Sequence, residues 1–287
     1  MVGMRGWWQD LTDLVLPAEC GGCGRPRTVL CPECRAALSG DAPRRVRPVP
    51  EPPGLPVAHA AAPYENAVRA TLLAHKERGA LALAAPLGAA LAGAVRAGLR
   101  EAGGIREPVL LVPVPSARTA VRARGHDPAR RIALAAAGEL RRTGTPARVL
   151  GVLRQRRAVA DQSGLNSRQR LDNLAGALVV ADGGGRLLAA GRVVLVDDVM
   201  TTGASLTEAA RAVRSALDET AVYGGVAGEG RAKRVAGATA ATGVRTVRSA
   251  EREVVDRTRE VPGNAAVNGA GKIMRAAVVA ASPESFQ

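Results

Sequence analysis

Aromatic residues are nearly absent from this sequence: Phe, Trp and Tyr make up only 2% of its 287 residues. The core therefore has to be built from Ala, Val and Leu. The scarcity also argues against a channel in which bases of single-stranded nucleic acid stack on aromatic rings. No run of about 18 or more apolar residues occurs. The nearest candidate, 81–95, is interrupted by Pro86, so we expect no membrane insertion.

Lysine is also scarce, because the net charge of +14 comes almost entirely from arginine and Lys occurs only at positions 76, 233 and 272. Such an excess of positive charge favours anionic partners, either nucleic acid or phosphorylated substrates. The N-terminal segment has Asp10 and Asp13 where a signal peptide needs an apolar run. We therefore expect a cytoplasmic protein.

The most informative stretch begins with four branched apolar residues, 193–196, which are typical of a strand buried inside a parallel sheet. Asp197 and Asp198 follow, and we expect them where the strand ends, because an unpaired buried carboxylate is costly. A loop of small residues then leads into a helix predicted over 204–216; the loop consists of Thr201, Thr202, Gly203, Ala204 and Ser205. The N-terminus of a helix suits a phosphate, and two adjacent carboxylates suit vicinal hydroxyls. The pattern predicts a ribose 5-phosphate site.

Two other interpretations of this stretch have to be weighed. A nucleotide hydrolase also has an apolar strand that ends in Asp, but it needs a Gly-x4-Gly-Lys-Ser/Thr phosphate loop. The only Gly-Lys pair, Gly271-Lys272, has Ala266 in place of the first Gly and Ile273 after the Lys, which excludes that class. A purely structural strand and capped helix, in which the carboxylates only accept backbone hydrogen bonds, is the remaining alternative.

All four cysteines lie in one short window, as Cys20-x2-Cys23 and Cys31-x2-Cys34. Four thiolates with this spacing can surround Zn²⁺ in a closed, structural site. A cytoplasmic location disfavours disulfides, and redox chemistry at one pair is the other alternative. We therefore expect 1–38 to form an N-terminal lead and zinc-knuckle module. A Pro-rich, extended linker is expected at 39–58.

Strands and helices alternate through the rest of the chain, 59–287, which predicts an α/β domain with a parallel sheet flanked by helices. Predicted strands are 60–65, 109–115, 148–153, 178–180, 192–196 and 275–281, and predicted helices are 65–78, 81–99, 128–142 and 204–216. The segment 217–272 delays the last strand far beyond the usual connection of about 2–6 residues. It is predicted to be an insertion that is poorly ordered or loosely packed, with a basic nucleic-acid contact as the alternative.

Arginines follow two of the predicted strands. One group, around Arg122 and Arg124, comes after the strand at 109–115, at the edge where α/β sheets bind ligands. A second group, with Arg168 and Arg170, lies in a long polar segment that suits a mobile cover over an anionic substrate. A solvated helix is the alternative for the second group. His126 lies near the first group, although a single His is more often structural.

Taken in order, these features resemble the ComF family of competence-associated, type I phosphoribosyltransferase-like proteins with an N-terminal zinc module. The resemblance covers residues 17 to about 216. It rests on the cysteine quartet, on Tyr64 followed by Arg69 and Lys76, on 112–115 followed by Arg124-Gly125, on the spacing of Gln162, Leu165, Arg170 and Asn173, and on the Asp-Asp-x2-Thr-Thr-Gly motif. His126-Asp127 departs from the aromatic-Asn pair that the family often has there.

The resemblance implies a type I phosphoribosyltransferase fold and an enzyme that transfers ribose 5-phosphate from phosphoribosyl pyrophosphate (PRPP) to an acceptor. Pyrophosphate would leave, with Mg²⁺ bound mainly by substrate oxygens. Asp197 and Asp198 would be the catalytic pair that holds the ribose hydroxyls, and residues 201–205 would hold the 5-phosphate. Lys76, Arg122 and Arg124 are then candidates for pyrophosphate, and Arg168 and Arg170 for closure over the site.

A second hypothesis is a non-catalytic protein of the same fold. It would support DNA uptake by binding nucleotide or single-stranded DNA, together with proteins of the competence machinery. The zinc module and the net charge favour this role, whereas the intact acidic pair and Thr-Thr-Gly loop favour PRPP binding. Neither the acceptor nor the oligomeric state follows from the sequence.

Overall fold

The computed structural model describes residues 19–104, 107–157, 166–235 and 274–286, with 223–235 described as helical backbone only. The predicted N-terminal lead before Cys20 falls almost entirely outside these ranges. The same holds for the part of the predicted insertion from 236 to 272.

A mostly parallel sheet of six strands forms the centre of the fold. Its strands are β1 (Arg44–Val46), β2 (Val57–Pro63), β3 (Val109–Pro113), β4 (Ala147–Val149), β7 (Arg192–Met200) and β8 (Arg275–Ala281). Their spatial order is β1-β2-β8-β7-β3-β4, and only the β1–β2 pair is antiparallel. A separate antiparallel pair joins β5 (Leu153–Gln155) to β6 (Leu178–Val180). The structure therefore confirms an α/β protein with a mostly parallel sheet.

Helices flank the central sheet. In chain order they are α1 (Pro32–Ser39), α2 (Asn66–Glu77), α3 (Ala84–Glu101), α4 (Arg118–Arg124), α5 (Pro128–Arg142), α6 (Ser167–Leu174), α7 (Gly184–Ala189) and α8 (Ala204–Val235), with 3-10 turns at Leu81–Leu83 and Pro283–Ser285. Successive residues of a strand point to opposite faces. Val194 and Val196 accordingly join the hydrophobic cluster that includes α3 and α5, and Val193 and Leu195 join the one that includes α8.

One helical region, Leu81–Glu101, is long and apolar enough by length and composition to cross a membrane. Most of its apolar window is buried within the protein, where α3 packs on β2, β8 and α5. A Cβ at Gly88 would collide with Ala135 of α5, so the small residue permits this close packing. The region is thus a core helix of the fold.

Besides β7, whose end is described with the cleft, three elements differ from the sequence-based predictions. Part of the Pro-rich segment 39–58 is not a linker, because β1 pairs with β2, and Leu55 is only 2% exposed. The strand predicted at 148–153 is two strands, β4 and β5, in different sheets. The helix predicted to end near Ala216 continues to Val235, into the predicted insertion. The last strand lies where it was predicted, and it fills a central position between β2 and β7.

Candidate active site

A cleft of about 700 Å³ opens at the carboxyl ends of the central parallel strands. Its walls come from the ends of β3 and β7, from α2 and α4, and from β5, α6 and β6, which we call the hood. Ligands of open α/β sheets bind at this edge, where loops from several strands meet. The sequence analysis predicted the strand ends, Lys76 on α2 and a cover that contains α6, and the tertiary structure adds β5 and β6 to the lining.

Asp197 and Asp198 line the cleft, but they lie within β7 and not after it, because β7 continues to Met200. Asp197 Oδ1 accepts a hydrogen bond of 2.9 Å from the Asp198 N–H, and Asp198 Oδ1 accepts one of 2.8 Å from the Val199 N–H. These bonds fix one oxygen of each carboxylate by the backbone. The carboxylates are thereby held rigidly at the floor of the cleft.

Lys76, in the last turn of α2, places its Nζ 3.4 Å from Asp198 Oδ2. The charge of Asp198 raises the pKa of Lys76, which therefore stays protonated at neutral pH. Burial, together with the neighbouring charge of Asp198, raises the pKa of Asp197 well above its ordinary value of 3.8. The floor of the cleft thus holds two crowded carboxylates beside a cation, an arrangement suited to accept hydrogen bonds from hydroxyl groups.

The small-residue loop follows β7 directly and leads into α8. Gly203 has a φ of +75°, a conformation that favours glycine, and its carbonyl accepts bonds from the N–H and Oγ1 of Thr207. A Cβ at Gly203 would lie 3.1 Å from Leu55 and 3.4 Å from Pro48. The Pro-rich segment therefore supports the back of this loop, a role that its sequence did not indicate.

The hood is fastened to α8 by a pair of charged residues that the sequence analysis missed. Glu208 Oε1 accepts the N–H of Leu178 at 2.9 Å, and Arg211 Nη2 donates to the Leu178 carbonyl at 2.8 Å. Burial raises the pKa of Glu208, but the bonds from Arg211 and Leu178 outweigh burial and hold the pKa below its ordinary value. The signal, a Glu and an Arg three residues apart on a helix, is too common to be specific.

The predicted basic residues separate into two sets. Arg124 lines the cleft and pairs with Glu77, with its Nε 3.0 Å from Oε2, and Arg170 Nη1 approaches Thr201 Oγ1 at 3.4 Å. Arg122 lines a different pocket, and Arg168 is exposed on α6 outside the lining of the cleft. Gln162 and Leu165 of the predicted cover lie outside the described residues.

His126 connects α2 to the turn between α4 and α5. Its Nε2 lies 3.2 Å from the His75 carbonyl oxygen and its Nδ1 3.2 Å from the Arg124 carbonyl oxygen. The His75 ring packs edge-on against it, with centroids 5.6 Å apart, and burial lowers the pKa of His75. His126 therefore holds the position of Lys76 and Arg124 from behind, consistent with a structural role.

The four cysteine sulfurs lie within 4.8 Å of one another, close enough to bind a single metal ion such as zinc. Cys23 Sγ and Cys31 Sγ are 3.6 Å apart, near the spacing of about 3.8 Å that four thiolates adopt around Zn²⁺. Burial raises the pKa of Cys20, but backbone N–H donors outweigh burial and lower it to about 6. This thiol is therefore largely ionised at neutral pH, as a metal ligand needs to be.

The cysteine cluster packs against α2, the helix that carries Lys76 into the cleft. A Cβ at Gly22 would lie 2.6 Å from Cys34 Sγ and 3.2 Å from Thr71 Oγ1. Thr71 itself is fully buried, and its hydroxyl donates to the Ala67 carbonyl. Only glycine allows this close approach of the cluster to α2.

No family model matches the chain, and the search of curated proteins also gives no match. The function of the protein therefore has to be inferred from the chemistry of its own cleft.

Proposed function

We propose that the protein is a phosphoribosyltransferase of the ComF family that binds PRPP in the cleft and transfers ribose 5-phosphate to an acceptor. The observation that carries the proposal is the position of Asp197, Asp198 and the 201–205 loop on one wall, contributed by β7 and the start of α8. The loop offers the N-terminus of a long helix to a phosphate. The carboxylates lie next to it, where the ribose hydroxyls of the same ligand would reach them.

In the proposed reaction the lone pair of the acceptor forms a bond to C1 of the ribose. The C1–O bond to pyrophosphate breaks, pyrophosphate leaves with the electron pair, and the proton of the acceptor passes to water. Asp197 and Asp198 orient the ribose through its hydroxyls. Among the described residues, Lys76 and Arg124 are the two cations in the lining of the cleft, and they would stabilise the departing charge. This is catalysis by positioning and electrostatic stabilisation.

The residues of the cleft fit Mg²⁺ that is brought in by the substrate. Asp197 and Asp198 are the carboxylates at its floor, and one oxygen of each already accepts a backbone N–H. Mg²⁺ commonly uses one or two carboxylates together with water and substrate phosphates. Bound in this way, it would neutralise charge on the leaving pyrophosphate. For the cysteine cluster we propose structural Zn²⁺, held by Cys20, Cys23, Cys31 and Cys34.

The arginines around the cleft support a second candidate, a non-catalytic protein that binds nucleotide or single-stranded DNA. Arg154, Arg156 and Arg168 are exposed on the hood, beside an open cleft. Such a surface would bind a phosphate backbone through charge alone and would lose affinity steeply with salt. The crowded carboxylates of Asp197 and Asp198 count against it, because they repel a polyanion and stabilise hydroxyl binding instead.

Calorimetric titration of Mg²⁺-PRPP tests the proposal. The wild type is expected to bind saturably, and Asp197→Asn/Asp198→Asn is expected to lose affinity by about 100-fold, since both hydroxyl-binding anions are gone. Asp182→Asn/Asp218→Asn, which removes two exposed carboxylates outside the cleft, is the matched control. An acceptor screen scored by pyrophosphate release follows. Absence of binding by a folded, zinc-loaded wild type would contradict the proposal and leave the DNA-binding candidate.

A further inference from the structure

A second pocket, of about 290 Å³, adjoins the cleft at the loop that follows β3. Pro115, Ser116 and Gln155 line both spaces, so they form a shared rim. We call this second space the side pocket; its other lining residues are Arg118, Val121, Arg122, Asp127, Leu153 and Arg154. Its two walls belong to α4 and to the hood strand β5. It thus lies next to the proposed PRPP site and shares a rim with it.

Like charges are concentrated on one wall of the side pocket. Arg118 and Arg122 are four residues apart on α4, so their side chains share a face and repel each other. Within the described ranges no carboxylate forms an ion pair with either of them. The charges of Arg118 and Arg122 are therefore available to bind an anion from outside the chain.

The opposite wall adds a third guanidinium group. Arg154 donates to the backbone carbonyls of Gly151 and Leu153, which orients its side chain without neutralising its charge. The one carboxylate of the lining, Asp127, is engaged as the N-cap of α5, where Oδ1 accepts the Arg130 N–H at 3.1 Å. Val121, Leu153 and Pro115 supply apolar surface between these charges. The side pocket therefore suits a small ring that carries an anionic substituent.

We propose that the side pocket binds the anionic group of the acceptor, a carboxylate or phosphate on a small ring system; this rests on the proposed binding of PRPP in the cleft. The cleft has its own cations for pyrophosphate, Lys76 and Arg124, and neither lines the side pocket. Arginine binds both kinds of anion through paired N–H donors. An acceptor held by Arg118, Arg122 and Arg154 would reach C1 across the shared rim.

The test is a titration of the full-length protein, saturated with Mg²⁺-PRPP, with inorganic phosphate and separately with benzoate, followed by NMR of arginine Nε–H groups. We expect saturable changes in the chemical shifts of the Arg118 and Arg122 Nε–H groups. The anion that binds more tightly identifies the substituent of the acceptor. Arg118→Gln/Arg122→Gln should lower the affinity for that anion by about tenfold or more. The same variant should leave the Mg²⁺-PRPP affinity within about twofold, because these side chains are exposed and outside the cleft.

Arg100→Gln/Arg131→Gln is the matched control, since it removes the same charge from exposed positions outside both pockets. An equal loss of anion affinity in the two double variants would show that only the net charge of the protein matters, and it would overturn the proposal. Weakened PRPP binding in Arg118→Gln/Arg122→Gln would assign these residues to pyrophosphate and also overturn it.

Two further outcomes separate this proposal from the function on which it rests. A wild type that binds PRPP but shows no saturable response to either anion overturns the side pocket alone. A wild type that does not bind PRPP, measured first, overturns the proposed function and the side pocket with it. Displacement of phosphate by a single-stranded oligonucleotide, with steep salt dependence, would make the surface a nucleic-acid contact instead and contradict an acceptor subsite.

Discussion

The cysteine cluster and the acidic cleft both crowd acidic groups together, but they deal with the crowding in opposite ways. In the cluster the four sulfurs converge on one point, and Cys20, Cys31 and Cys34 are buried. One metal ion would satisfy all four and close the site. In the cleft Asp197 and Asp198 lie at the floor of an open space, with Lys76 as a close cation. With a metal bound, the first arrangement would stabilise the fold, whereas the second carries a cost in stability at Asp197 and leaves space for a ligand.

Loss of the proposed zinc ion should give the largest effect. Cys23→Ser removes a proposed ligand whose thiol is exposed, so it tests metal binding with little loss of packing. We expect the free energy of unfolding to fall by on the order of 5 kcal/mol, because metal-binding free energy is folding free energy at such sites. Metal analysis and thermal unfolding, with and without a chelator, provide the measurement. An unchanged metal content and melting temperature in Cys23→Ser would contradict a four-cysteine site.

A substitution in the cleft should raise the free energy of unfolding instead of lowering it. Because the pKa of Asp197 is raised in the folded state, its charged form disfavours folding at neutral pH. Asp197→Asn keeps an acceptor for the Asp198 N–H and should raise the free energy of unfolding by about 1 kcal/mol while weakening PRPP binding by about tenfold. The gain should be complete above the folded-state pKa, shrink as the pH falls below it, and vanish near the ordinary pKa of the unfolded state. Denaturant unfolding of both proteins between acid and neutral pH measures this, and a loss of stability at neutral pH would refute it.

The smallest expected effect separates two arginines of the hood. Arg170 approaches Thr201, whereas Arg168 is exposed on α6. Arg170→Gln should weaken the binding of Mg²⁺-PRPP by about tenfold, because it removes a charged donor beside the 201–205 loop. Arg168→Gln serves as the control and should bind like the wild type in the same calorimetric titration. Equal loss in both variants would point to net charge and not to contact with the loop.

The local parts of both sites could be predicted from the sequence. The cysteine quartet spans a short window, and the strand, acidic pair, loop and helix from β7 to α8 are continuous in the chain. Patterns of this kind depend on neighbouring residues, so periodicity and spacing suffice. The error at the end of β7 arose because the cost of burying carboxylates was assumed to exclude them from a strand. In the structure Lys76 pairs with Asp198 and offsets part of that cost, whereas the raised pKa of Asp197 shows that a cost remains there.

The choice among neighbouring basic residues could not be predicted. Arg122 and Arg124 are two residues apart on α4, and Arg168 and Arg170 are two apart on α6. Positions two apart on a helix point about 200° away from each other, so one face can present only one member of each pair. Which member faces the cleft depends on how the helix docks. The sequence analysis gave both members of each pair the same role, whereas in the fold only one member of each pair lies at the cleft.

By itself, then, the sequence determined the elements whose residues are close along the chain: the cysteine cluster, the acidic strand with its loop, and the alternation of strands and helices. The tertiary structure decided which distant segments meet. It brings Lys76 of α2 to Asp198, places the Pro-rich segment behind Gly203, and fastens the hood to α8 through Glu208. Such contacts depend on packing between elements and not on the structural preference of any one element. Local sequence patterns therefore do not predict them.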